Sequence, residues 1–143
     1  YEMIHDVRFI PLDGRSHVDE KIHLWMGDSR GHWEENTLVV ETTNFTDKGW
    51  IATSASQKRI KGVPQTTDLH IIERFTRVDA DTIQYEVTIE DPQVYTHPWK
   101  VAIPLNRNPD YRMFESACHE GNTAVDLILG GARAQEMAAQ KSQ

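Results

Sequence analysis

The sequence is short of nearly everything that marks the common functional classes. One cysteine, Cys118, stands among 143 residues, so no disulfide can form within the chain. No apolar run approaches the ~20 residues of a membrane-spanning helix. Basic residues are few: 15 Lys and Arg face 22 Asp and Glu, for a net charge of -7. Phosphate binding needs a basic face, so nucleic acid is not an expected partner. An anionic membrane surface is equally disfavoured. There is no G-x-G-x-x-G, P-loop, G-x-S-x-G or deaminase signature. The histidines, His5, His17, His23, His32, His70, His97 and His119, show no compact ligand pair and no H-x-x-x-H. No cofactor is therefore expected, and a metal only from ligands gathered off distant strands.

What is present is β patterning. Met3, His5, Val7 and Phe9 alternate with Ile4, Asp6, Arg8 and Ile10, a strand period closed by the turn "PLDG". One helical turn is expected around Ile22 to Trp25. "HWEENTLVVETTNF" reads as a hairpin with Glu35-Asn36 at its turn. A second hairpin, "LHIIERFTRVDADTIQYEVTIEDP", turns at Asp79-Ala80-Asp81 and puts Ile83, Tyr85, Val87 and Ile89 on one face. Trp99, Val101, Ile103 and Leu105 share a face of the next strand, and Pro104 assigns it to an edge. "RMFESA" reads as a short last strand. Asn122 is the expected N-cap of a C-terminal helix that breaks at Gly130-Gly131, leaving a tail over 132–143. Residues 46–66 read as a long mobile loop bordering a ligand cavity.

The expected fold class is thus mainly β. An antiparallel meander over 1–143 would form a small lipocalin-like barrel or a strongly curved sheet, with a C-terminal helix. The opening "YEMIHDVRF" has no initiator Met, and the expectation is a processed chain or a fragment of a longer one.

The segments "EMIHDVRFIPLDGR", "WMGDSRGHWEENTLVVETTNF", "ERFTRVDADTIQYEVTIEDP" and "ACHEGN" resemble a family of uncharacterised secreted proteins of acidobacteria, proteobacteria and soil metagenomes. The resemblance spans nearly the whole chain. It departs from the family pattern at Glu35-Asn36, where Gly-Asp is commoner, and in a longer loop between Asn44 and Leu69. It implies a longer exported protein, periplasmic or secreted. It carries no catalytic assignment.

The candidate sites follow from strand and helix ends, where rigid scaffolds present polar groups. Cys118, flanked by Glu115 and Glu120, reads as a small buried filler rather than a nucleophile. His119 and Glu120 sit where a strand meets a helix N-terminus. In a sequential barrel the first and last strands meet, so His119 and Glu120 are expected beside His5 or Asp6 as an acid–base group. Arg8 is a candidate anion clamp, and Trp50, Glu115 and His97 are further candidate substrate contacts. Trp33, Tyr85 and Trp99 are expected in the core. The sequon "NFT" at Asn44 falls within a strand and reads as coincidental.

Three functions fit these features. One is a cofactor-independent exported enzyme, a hydrolase or lyase working on a small molecule by His and carboxylate chemistry. The second is a non-catalytic lipocalin-like carrier of a small apolar or aromatic compound. The third is a structural or interaction module of a longer protein. A homodimer is compatible with each.

Overall fold

The computed structural model describes residues 6–54, 61–114, 117 and 120–141. The chain divides into two compact units. One comprises Val7–Tyr111; the other includes Asp6 and the described residues from Arg112 onward.

The first unit is antiparallel β structure, as the alternating patterns require. Its elements are β1 (Asp28–Glu34), β2 (Thr37–Thr43), β3 (Trp50–Ser54), β4 (Lys61–Pro64), β5 (His70–Arg77), β6 (Thr82–Glu90) and β7 (Trp99–Asn106). Five of these form one sheet in the order β1-β2-β5-β6-β7, and β3 pairs with β4. The β1–β2 turn is Glu35-Asn36, with Glu35 at a φ of 53°. The β5–β6 turn spans the expected aspartates, and Arg77 pairs with Ile83. β7 is an edge strand, where the missing N–H of Pro104 costs no ladder bond. Among the described residues no pairing joins β1 to β7.

The period of two sorts the sheet into unlike faces. One carries Leu38, Val40, Ile71, Phe75, Ile83, Tyr85, Val87, Ile89, Trp99, Val101, Ile103 and Leu105. The other carries Asp28, Arg30, Glu34, Glu41, His70, Arg74, Glu86, Glu90 and Lys100. At one end of the apolar face, Ile71, Val87, Ile89 and Trp99 join Phe45, Leu69, Tyr95 and Ile51 of β3 in the core. Tyr95 meets Trp99 edge-on, with centroids 5.7 Å apart. At the other end Ile83, Val101, Ile103 and Leu105 are exposed.

Several expectations are corrected. Residues 46–66 are not a structureless loop: β3 and β4 form a hairpin, its tip lying outside the described residues. Trp50, Ile51 and Val63 are strand formers that the surrounding Ser, Thr, Gly and Lys obscured. The Trp50 ring covers the backbone of Gly62, where a Cβ would fall inside it. Residues 6–10 form no strand. The segment runs along the β1 edge, bonded from Gly31 N–H to the Pro11 carbonyl at 2.9 Å. Ile22–Trp25 holds turns and a single bridge, Leu24 to Phe45, instead of a helical turn. Arg112–Phe114 is not a strand. Trp33 is not core: on the edge strand it is 61% exposed.

The second unit carries α1 (Ala124–Lys141). Asn122 caps it, its Oδ1 accepting from Ala124 N–H at 3.0 Å. The helix runs through Gly130-Gly131 without a break, and its last turns replace the expected tail. Each glycine costs about 1 kcal/mol, and the following Ala, Arg, Gln, Glu and Met are strong helix formers that offset it.

Gly27 is the tightest backbone position. Its φ is +68°, and a Cβ would lie 2.6 Å from the Thr43 carbonyl oxygen. Gly14 has a φ of +72° with nothing within 4 Å. Gly14→Ala therefore measures the left-handed backbone alone, about 1–2 kcal/mol. Gly27→Ala adds a backbone clash and should lose about 2 kcal/mol more in urea unfolding. Equal losses would show that the Gly27 turn yields without strain.

Candidate functional site

The most unusual placement in the first unit is Glu73. On β5 it occupies a position of the apolar face, between Ile71 and Phe75, and is only 6% exposed. A carboxylate there must be paired, because burying it alone costs several kcal/mol. Arg8 supplies the pairing: Nη1 donates to Oε2 at 2.7 Å and Nη2 to Oε1 at 3.2 Å. The Tyr85 hydroxyl, from β6, donates to Oε1 at 2.9 Å. The Tyr85 ring lies against Phe75 at 4.9 Å between centroids. An ionised carboxylate has about four acceptor sites, and three are filled here.

The segment bearing Arg8 is held over the same face. A Cβ on Gly31 would strike Leu12 Cδ2 and Ile10 Cγ2, so the glycine lets those side chains sit on the sheet. Beyond Tyr85 the exposed Ile83, Val101, Ile103 and Leu105 continue the surface as an apolar floor. A depression of about 360 Å³ lies at that end, lined by Arg77, Asp79, Asp81, Ile83, Leu105 and Arg107.

The polar face holds a second group. Asp28, buried at the start of β1, accepts from Val18 N–H at 3.2 Å and meets His17 Nδ1 at 2.9 Å. Arg30 Nη2 stands 3.2 Å from its other oxygen. The far side of His17 faces Glu41, which His70 also meets, and His70 in turn approaches Glu90. The loop carrying His17 is tied down by Asn44, whose Nδ2 donates to the carbonyls of Asp19 and Ile22. Asn44 is buried at a φ of 59°, one residue past the end of β2, so the strand expected to contain its sequon stops at Thr43. At the other end of this face Arg74, and then His32, hold the exposed Glu34 carboxyl below its usual range.

Of the residues singled out from the sequence, Arg8 and Tyr85 are brought together with described partners in a polar group on the apolar face. Trp50 is half-exposed and covers Gly62. His97 is exposed in a bend. Asp6 is exposed, and Glu120 is exposed in the turn before Asn122. His5, Glu115, Cys118 and His119 lie outside the described residues. The sequence reading missed Glu73, although the alternation Ile71, Glu73, Phe75 marks it as a charge in an apolar register. It also missed the pairing of His70 with Glu90, which follows from a turn centred on Ala80.

No protein-family model, curated protein or solved structure matches the chain.

Among the described residues, Arg8→Met would leave Glu73 with Tyr85 as its partner. The change should cost about 2–4 kcal/mol in urea unfolding. Combining it with Glu73→Leu should recover most of that loss, since an apolar pair replaces a desolvated ionic one. Additive effects in this cycle would show that the two side chains are not coupled.

Proposed function

We propose that the chain binds a small apolar or aromatic molecule on the Glu73 face of the sheet, as a non-catalytic carrier of lipocalin-like type. The observation that carries this reading is a buried carboxylate, with one acceptor site that no described residue fills, in the middle of a mostly apolar face. Small-molecule sites combine apolar walls with a few converging polar groups that fix orientation. Here Phe75, Tyr85, Ile103 and Leu105 supply the wall, and Glu73 supplies the orienting group. Arg8 and Tyr85 hold that carboxylate in place. The matching ligand carries one hydroxyl or amine donor on an apolar or aromatic body.

Closure of the curved sheet into a barrel around such a ligand belongs to the same proposal. So does an exported location, which rests on the resemblance to secreted proteins. No helix among the described residues is long and apolar enough to cross a membrane. Of the group His119, Glu120, His5 and Asp6 behind the hydrolase or lyase reading, His119 and His5 lie outside the described residues, and Asp6 and Glu120 are exposed.

The test is a comparison of 2-naphthol with 2-methoxynaphthalene, followed by tryptophan quenching or calorimetry. The naphthol should bind about 10-fold tighter or more, because its hydroxyl satisfies a buried acceptor that the ether leaves unpaired. Glu73→Gln should shrink that preference to within about 3-fold. Equal affinities in the unmodified protein, or no binding of either compound, would rule the reading out.

A further inference from the structure

On the opposite, polar face, two imidazoles share one carboxylate, and each is backed by another. His17 Nδ1 meets Asp28 Oδ2 at 2.9 Å, and its Nε2 faces Glu41 Oε2 at 3.9 Å. His70 repeats the pattern: Nδ1 faces Glu90 Oε2 at 3.6 Å, and Nε2 meets Glu41 Oε1 at 2.7 Å. A ring held by a carboxylate at one nitrogen, with the other turned to a common centre, is how proteins orient metal-binding histidines. That it occurs twice around Glu41 is not needed to hold the sheet, whose backbone ladder is complete through β2, β5 and β6.

Charge favours a cation, and the spacings bracket the value that one requires. Two ligand atoms bound tetrahedrally at about 2.05 Å lie about 3.3 Å apart. The nitrogen–oxygen spacings of 2.7 and 3.9 Å fall on either side of that value, each about 0.6 Å away. Among the described residues no three such side chains already stand at coordination distances. Binding therefore requires the half-exposed Glu41 carboxylate to shift between the rings. Asp28, Glu41 and Glu90 are acidic, and Arg30 offsets one of them by its pairing with Asp28. The three carboxylates and Arg30 together carry a formal -2.

We propose that His17, Glu41 and His70 bind a first-row divalent transition metal of the zinc class, with Asp28 and Glu90 orienting the rings. Imidazole donors select against magnesium and calcium. Three protein ligands leave a fourth position, and the partial exposure of all three side chains opens it to solvent, the pattern of sites that exchange a bound water for another ligand. Metal would also tie the His17 loop to β2 and β5.

The test is titration of the full chain with Co²⁺ at pH 7.5, read by visible absorbance, with Zn²⁺ as competitor. The expected result is one site of about 10 μM affinity or tighter. His70→Gln and Glu41→Gln should each weaken it at least 10-fold, and the exposed orienting variant Glu90→Gln by about 10-fold. His32→Gln, an exposed histidine elsewhere on the same face, should leave it unchanged. Far-UV circular dichroism confirms that each variant is folded. The proposal is overturned if the unmodified chain shows no one-to-one binding below 1 mM, if folded His70→Gln binds as well, or if His32→Gln loses as much.

Discussion

The carboxylate of Glu73 is the constraint around which the first unit is arranged. A charge set into an apolar sheet face must find a counter-charge or be expelled. The counter-charge comes from Arg8, 65 positions away in sequence, and its reach fixes where the preceding segment must run. That path puts Ile10 and Leu12 over Gly31, and the backbone bond from Gly31 N–H to Pro11 secures it. Tyr85 is turned the same way, its hydroxyl on the carboxylate and its ring on Phe75. A buried ion pair is weak evidence for stability, since well-packed apolar groups of the same volume do as well.

The opposite face obeys other rules. Apart from the buried Asp28, its histidines and carboxylates are partly solvated, so most of these pairings contribute little by themselves. What organises them is the loop before β1. Asn44, in a left-handed conformation, holds the carbonyls of Asp19 and Ile22, while Asp28 takes the Val18 amide. These contacts bring His17 over strands it does not belong to. The two faces therefore differ in chemistry for a simple reason. The pleat sends alternate residues to opposite sides, one roofed by the β3–β4 hairpin and the Arg8 segment, the other met by the His17 loop.

Much of this was legible in the sequence. The two hairpins, their turns at Glu35-Asn36 and Asp79–Asp81, the apolar row of β6, the edge position of β7 and the Asn122 cap all depend on neighbours within a few residues. Period, turn chemistry and capping act at that range. Local signals also misled. Gly130-Gly131 looked like a helix end because each glycine weakens a helix, but the residues after them are strong enough formers to carry it through. The polar composition of 46–66 concealed a hairpin whose strand formers are spaced by only a few residues.

The sequence by itself determined the strand periods, the turns and the unequal character of the two sheet faces, because side-chain alternation is built into every extended segment. Only the tertiary structure decided which distant residues meet. The placement of β5 beside β2 brings Glu41 to His70, and the path of the N-terminal segment brings Arg8 to Glu73. Neither pairing leaves a trace in local spacing. Each is set by strand order and by the need of a desolvated charge for a partner, and both of those are properties of the folded chain.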